Sequence, residues 1–165
     1  MALTYEPIAT TTLGSAASSI TFSSIAATYT DLRVVLTIKS ATNGAPFLRL
    51  NGAAGTAYSQ TELYGNGSTA TSSRSTSTSE IALTQDAIGA AGTITFYTVD
   101  VFSYAGSTNK TVLVTGQTDK NGSGMVYNSV GLYRSTSAIT SLSLHTNTTG
   151  MDAGTIATLY GIKAA

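Results

Sequence analysis

Few side chains in this 165-residue sequence could carry out nucleophilic, acid–base or metal chemistry. His145 is the only histidine, and there is no cysteine, which excludes disulfides, thiolate nucleophiles and thiolate metal sites. No HxH, HExxH or clustered-aspartate pattern accompanies His145, so we interpret it as a surface or interface histidine on the polar face of its strand. Residues 119–123 lack the alternating ligands and terminal glutamate of a calcium loop and are interpreted as a turn. The sequence therefore predicts no metal site.

The carboxylates and serines do not form a catalytic pattern either. The eight carboxylates are far apart in sequence, and most lie beside turns: Glu6, Asp31, Glu62, Glu80, Asp86, Asp100, Asp119 and Asp152. Asp100 is the exception because it lies within an apolar strand, where an ion pair with Arg33, Arg49 or Arg134 would explain it. A glycosidase built on Asp100 is the enzymatic alternative. Because GxSxG, Walker and GxGxxG motifs are absent, we expect neither catalysis nor a bound cofactor.

The composition indicates a folded chain with little charge. Charged residues make up 10% of the sequence, against about 25% in typical soluble proteins, while 30 Thr and 21 Ser occupy many of the remaining positions. The net charge is zero and no basic patch is visible, so we expect no nucleic-acid partner. No segment approaches the roughly 20 apolar residues of a membrane helix, and the first residues lack a secretory signal. These features predict a soluble protein that is used without export and has no membrane partner.

Short apolar clusters separated by turn residues predict an all-β fold. Residues 32–39 alternate apolar and polar side chains, which is typical of a strand with one buried face. Further candidate strands are residues 19–25, 47–50, 80–84, 93–104, 110–116, 125–134, 139–144 and 156–163. Asn-Gly pairs between them suit tight hairpin turns, and the only helical candidates, 25–29 and 86–91, are short. Nine or ten such strands predict one domain, an antiparallel two-sheet sandwich or jelly roll.

Two of the segments depart from the regular pattern. Within residues 93–104, Ile94 and Phe96 occupy one parity, whereas Val99 and Val101 occupy the other. Either both faces of this strand are buried or a β-bulge near residues 97–98 changes the register, and we favour the bulge. Residues 66–79 are almost entirely Gly, Ser, Thr and Ala, which indicates a long exposed loop.

The first 19 residues are polar and small after Glu6 and allow two interpretations. They form an extended arm that lies on a neighbouring subunit, or an edge strand of the sandwich formed by residues 20–165. An arm would recover its backbone hydrogen bonds by adding a strand to a neighbour's edge. Tyr5, Ile8 and Leu13 would then be its apolar anchors at a protein interface, since few residues usually dominate the binding energy.

Seven segments carry a resemblance to a known group of proteins. They are residues 8–13, 18–25, 29–32, 48–52, 63–68, 130–135 and 159–165, and they extend over nearly the whole chain. These turn-and-strand patterns resemble small virion structural proteins of tailed bacteriophages, in particular those that infect cyanobacteria and other marine bacteria. The resemblance implies a structural role in the phage particle, and it supplies no catalytic residues.

From this resemblance we expect a capsid decoration or cement protein that binds the major capsid protein as a homotrimer. Its location would be the virion, at the capsid surface rather than the tail. The alternative is a tail-fibre or tail-spike component that recognises host-surface carbohydrate through a groove lined by exposed tyrosines. Nine tyrosines are available for such a groove, although core packing explains about half of them.

Overall fold

The computed structural model describes residues 4–85, 88–120 and 122–163. The described residues form twelve strands and no helix, so the all-β prediction is confirmed. Residues 25–29 and 88–91 are not helical, while 86 and 87 lie outside the described residues. The strands are β1 (Tyr5–Thr12), β2 (Ser19–Phe22), β3 (Asp31–Lys39), β4 (Pro46–Leu50), β5 (Tyr58–Gly65), β6 (Ala70–Thr78), β7 (Ile81–Ala82), β8 (Ile94–Val101), β9 (Lys110–Asp119), β10 (Gly124–Tyr133), β11 (Leu142–Thr146) and β12 (Ile156–Ile162).

The strands form two antiparallel sheets, as the sandwich prediction requires. The larger sheet has the order β1-β12-β3-β8-β9-β10-β5-β6, and the smaller one has the order β2-β11-β4-β7. Each strand of the larger sheet alternates between an inner face, which packs towards the smaller sheet, and an outer face. In β3, for example, Leu32, Val34, Leu36 and Ile38 are fully buried. The alternation seen in the sequence at residues 32–39 therefore defines the inner face.

Buried tyrosines contribute polar contacts to the apolar core. The hydroxyl of Tyr58 accepts a hydrogen bond from the Leu50 amide (2.8 Å) and donates one to the Leu50 carbonyl (3.1 Å). Its ring stacks on Tyr133 at a centroid distance of 4.9 Å. The hydroxyl of Tyr104 donates to the carbonyl of Ala26. Because the hydroxyls of Tyr58 and Tyr104 have partners, these two side chains fill core volume without leaving their polar groups unpaired.

Strand β8 has no bulge, so that prediction is wrong. Its pairing with β3 and with β9 continues without a register shift from one end to the other. Val99 and Val101 lie on the buried inner face, whereas Ile94 is 46% and Phe96 48% exposed. The change of parity arises because β8 carries apolar side chains on its outer face as well as its inner face, and that outer face is uncovered.

Residues 66–79 are not a long loop, and this prediction is also wrong. The chain turns at Asn66, whose side-chain Oδ1 accepts hydrogen bonds from the amides of Ser68 (3.0 Å) and Thr69 (2.9 Å). Gly67 supplies a positive φ of 87°, and residues 70–78 return as β6, paired with β5. At the edge of the sheet this strand needs few apolar residues, and its threonines suit a pleated backbone.

Residues 5–12 form edge strand β1 of the chain's own larger sheet. This strand pairs antiparallel with β12, and its register shifts between Pro7 and Ala9. Ile8 and Leu13 are partly buried and pack against the core. Tyr5 is exposed.

Candidate interaction surface

An exposed group of apolar side chains lies on the outer face of the larger sheet. These side chains come from four adjacent strands, β8, β9, β10 and β5, and each is between 42% and 61% exposed. We define the apolar face as Leu63, Ile94, Phe96, Leu113, Val126 and Val130. Each of these residues follows the strand alternation, because its immediate neighbours in the strand point to the inner face. The apolar face is therefore fixed by the same register that builds the core.

Strand pairing brings the members of the apolar face together. Leu113 lies directly opposite Val130, where side chains of antiparallel strands are about 5 Å apart at Cβ. Leu63 lies opposite Asn128, which separates Val126 from Val130 on the neighbouring strand. Leu63 is therefore a diagonal neighbour of both valines. The result is a group of apolar side chains on β9, β10 and β5 around the exposed pair of Thr115 and Asn128.

One end of the apolar face forms an open cleft of about 670 Å³. Phe96 and Val126 line it together with Gln117 and Asp119, and glycines of the two adjoining turns complete its wall. Gln117 lies between Phe96 and Val126 in the sheet register. The cleft thus combines an exposed aromatic ring with an amide and a carboxylate.

Beside the apolar face, Arg33 and Asp100 neutralise each other. Nε of Arg33 lies 2.5 Å from Oδ1 of Asp100, and one terminal nitrogen lies 2.8 Å from Oδ2. The hydrogen bonds to Asp100 raise the pKa of Arg33 above its ordinary value. A second terminal nitrogen of Arg33 donates to the hydroxyl of Tyr5 at 2.8 Å. The predicted ion pair of Asp100 is confirmed, with Arg33 as the partner among the three candidates.

Of the three predicted interface residues, the structure leaves only Tyr5 exposed. Its ring makes an edge-to-face contact with Tyr160 at a centroid distance of 6.5 Å. Ile8 and Leu13 instead contact the protein's own core. A role of Tyr5, Ile8 and Leu13 in binding another protein stays a prediction. Sequence reasoning missed the apolar face itself, although the shared parity of Ile94 and Phe96 was a signal of it.

His145 lies on the outer face of the smaller sheet in a cluster with Glu80 and Arg49. Its Nε2 is 2.8 Å from Oε2 of Glu80, which also accepts a hydrogen bond from Arg49 at 2.7 Å. The imidazole stacks on Phe47 at a centroid distance of 5.8 Å. Within residues 4–85, 88–120 and 122–163, no group of three or more His, Cys, Asp or Glu side chains could hold a metal ion.

Glu62 is a buried carboxylate surrounded by neutral donors. Its oxygens accept hydrogen bonds from Gln60 (2.7 Å), Gln85 (2.6 Å), Tyr127 (2.5 Å) and Ser73. Burial raises the pKa of Glu62, but these hydrogen bonds together lower it by more, so the pKa lies below its ordinary value. Because both oxygens are occupied, this cluster joins β5, β6 and β10 rather than presenting a reactive group.

Three other clefts open on the protein, and their lining bears on sugar recognition. They have volumes of about 230, 640 and 360 Å³. Neither these three nor the cleft beside Phe96 is lined by a tyrosine. The groove of exposed tyrosines that the carbohydrate-binding alternative requires is thus not among these four.

Comparison of the chain with protein-family models, curated proteins and solved structures finds no significant match. The described part of the chain contains no helix that could cross a membrane. A fold by itself does not define a function.

Proposed function

We propose that this protein is a structural component of a bacteriophage particle, and that it decorates the capsid by binding the major capsid protein. The observation that carries the proposal is the apolar face. Exposed apolar side chains grouped on one face of a sheet often mark protein–protein contacts. The resemblance of seven segments to phage virion proteins supplies the class of particle.

The chemistry of the apolar face suits binding to another protein. Covering a half-exposed Leu, Val or Phe side chain contributes roughly 1 kcal/mol, and no charge on these six side chains must be desolvated. Among the charges beside the apolar face, Arg33 pairs with Asp100 and Lys39 with Asp152, and the carboxylate of Asp119 lines the cleft at one end. Zero net charge also limits repulsion between neighbouring copies on a crowded shell.

The protein would act as a homo-oligomer, for which we expect a trimer. A stable contact between two subunits would bury at least about 1,000 Å² in total. Sedimentation of the purified protein at micromolar concentration tests this expectation, and a single monomeric species would contradict it.

The decisive experiment measures binding to phage particles that lack the protein. Leu63→Lys and Val130→Lys place a charge in the apolar face, and Thr21→Lys places the same charge on an exposed strand of the smaller sheet. We expect the first two variants to lose occupancy by at least 10-fold and the control to bind normally, with all three folded by circular dichroism. Equal binding by all three would remove the apolar face from the proposal. Imaging of intact particles would then locate the protein.

The second candidate is a tail component that recognises carbohydrate, and the cleft beside Phe96 favours it. An exposed aromatic ring next to an amide and a carboxylate can stack on a sugar ring and bind its hydroxyls. Glycan binding that Gln117→Ala abolishes, together with a few copies at the tail, would support this candidate. Hundreds of copies over the head would support decoration. Neither candidate function involves catalysis.

A further inference from the structure

The two sheets end in four strands, and these differ in how well they are protected against pairing with another chain. In the smaller sheet, β2 has four residues and β7 has two, and short edges resist pairing. In the larger sheet, β1 carries Pro7 and a register shift beside it, both of which interrupt an edge. Strand β6 has its register shift only near its end, at Ser77, and differs from the other three in its long uninterrupted part. It has nine residues, no proline and one charged side chain, Arg74.

We propose that β6 pairs antiparallel with β6 of a second copy of this chain. A two-fold axis perpendicular to the sheet places an edge strand beside itself in the antiparallel direction. Every strand pair within the two sheets is also antiparallel. A single symmetry operation therefore continues the existing sheet and satisfies the outward backbone groups of both edges at once.

The strand's geometry selects the register of this contact. Residues that face each other in an antiparallel pair point to the same side of the sheet. One residue must therefore face its own copy across the axis, because facing residues that are adjacent in sequence would point to opposite sides. Ser77 has a φ of +61°, and the pairing of β6 with β5 shifts there. The regular part of β6 is therefore residues 70–76, whose central residue is Ser73. In this register, Ser73 of one copy lies opposite Ser73 of the other.

The side chains of β6 tolerate this register. Arg74 lies opposite Ser72 of the second copy, so the two arginines do not face each other directly. Had the axis passed through Arg74, two like charges would be opposed, which destabilises a strand pair. The remaining contacts are Ala70 with Thr76 and Thr71 with Ser75, and a Thr–Ser pair stabilises neighbouring strands.

The contact also joins the two apolar faces. Because the axis is perpendicular to the sheet, both outer faces lie on the same side of the combined sheet. Leu63, on the strand next to β6, brings each apolar face close to the joint. A two-fold contact joins copies in pairs, so pairing through β6 is distinct from the contacts of the trimer expected for the proposed function. It does not depend on that trimer or on a role in a virion, since it requires only two copies of the chain.

Cysteine cross-linking of the purified full chain tests the register. The sequence has no cysteine, so a single introduced one can form only an intermolecular disulfide. Ser73→Cys places two sulfur atoms across the axis, where directly opposite Cα atoms are about 4.5–5.5 Å apart, within disulfide range. Ser75→Cys is the matched control on the same face of β6. Its Cα atoms would be about 14 Å apart, beyond the range of a disulfide.

We expect mild oxidation to convert Ser73→Cys to a covalent dimer and to leave Ser75→Cys monomeric on a non-reducing gel. Equal cross-linking of both variants, or of neither, would overturn the proposal.

A charge pair at Ser72 provides a second test that leaves Ser73 and its hydrogen bond to Glu62 intact. Ser72→Glu faces Arg74 of the second copy twice per dimer, and Ser72→Lys reverses that charge. We expect the first to tighten and the second to weaken dimerisation by roughly 2- to 30-fold each in sedimentation equilibrium. Thr21→Glu and Thr21→Lys serve as controls. Wild-type protein that is monomeric at 100 μM would contradict the β6 contact, and so would equal effects of the two charges. Either result would do so whether or not the protein binds phage particles.

Discussion

The hydroxyl of Tyr127 on β10 donates a hydrogen bond of 2.5 Å to Oε2 of Glu62 on β5. Glu62→Gln replaces that carboxylate with an amide, which gives up one acceptor and places a new donor beside the existing ones. We expect a loss of about 1–3 kcal/mol in the free energy of unfolding, because buried donors then lose their partner. Urea denaturation measures it. Glu6→Gln, at a partly exposed ion pair with Lys163, is the control and should have a smaller effect.

The same carboxylate predicts an acid-dependent stability. Because the pKa of Glu62 is lowered in the folded chain, its contribution is fully present above the unfolded value of about 4.3. That contribution is lost as pH falls through the folded value. The gap in stability between the wild type and Glu62→Gln should therefore narrow below about pH 4. A gap that is constant from pH 7 to pH 3 would contradict the lowered pKa.

Lys110 predicts a pH dependence of the same sign at the alkaline end of the scale. Its side chain is fully buried, and the ammonium group donates to the carbonyls of Gly106 (2.5 Å) and Thr108. Burial lowers the pKa of Lys110. Between the lowered pKa and the ordinary value of about 10.4, the unfolded chain binds more protons, so stability rises with pH.

Lys110→Met removes this titration and leaves the two carbonyls without the ammonium donor. We expect the free energy of unfolding to fall by about 1–3 kcal/mol at pH 7 and by more at pH 9.5, measured by urea denaturation. The measurements stop at pH 9.5 because buried tyrosines affect stability at higher pH. Burial raises the pKa of Tyr58 to about 12, so above about pH 10 this tyrosine ionises in the unfolded chain before it does so in the folded one. If the difference in the free energy of unfolding between the wild type and Lys110→Met shrinks towards pH 9.5, the lowered pKa of Lys110 is contradicted.

Gly116 allows the sheet to pack against an aromatic ring. A Cβ atom at this position would lie 2.6 Å from Cδ1 of Tyr97, closer than carbon atoms can approach. Gly116→Ala should therefore destabilise the fold by about 1–3 kcal/mol, as overpacking of a core does. Gly14→Ala, where a Cβ atom meets nothing within 4 Å, should be close to neutral. Thermal melts of the two variants make the comparison.

The ion pair of Arg33 and Asp100 should contribute little to stability. Asp100→Asn keeps the shape of the side chain and removes its charge, and we expect a loss of about 1 kcal/mol at low salt. The loss should shrink in 1 M NaCl, since salt screens partly exposed charges. A loss several times larger, or one that salt leaves unchanged, would show that Asp100 has a further role.

The sequence was sufficient to predict strands with one buried face. Residues 32–39 contain a clear alternation because β3 lies in the middle of the larger sheet and packs against the core. Asp100 was assigned a partner for a similar reason, since a carboxylate within an apolar strand needs a cation nearby. The candidate segments found from such local signals overlap nine of the twelve strands, whereas β1 was one of two alternatives and β5 and β6 were not predicted.

The strand prediction failed on the outer face of the larger sheet and at its edge, where burial does not determine which residues are apolar. Ile94 and Phe96 suggested a bulge because apolar residues were assumed to be buried, whereas they are exposed on a regular strand. Strand β6 was missed because its hydroxyl-rich sequence has no apolar period and because its pairing with β5 is a tertiary property. The buried contacts of Glu62 were not predicted either, since they join residues up to 65 positions apart.

The strand order has a consequence for how the chain reaches its native state. Strand β12 lies between β1 and β3, and β11 lies between β2 and β4. During synthesis, therefore, the first strands to emerge wait for the last ones before either sheet can close. Such long-range pairing slows folding, so we expect refolding in milliseconds to seconds rather than microseconds. Nascent chains that stop before β11 should remain without a native sandwich.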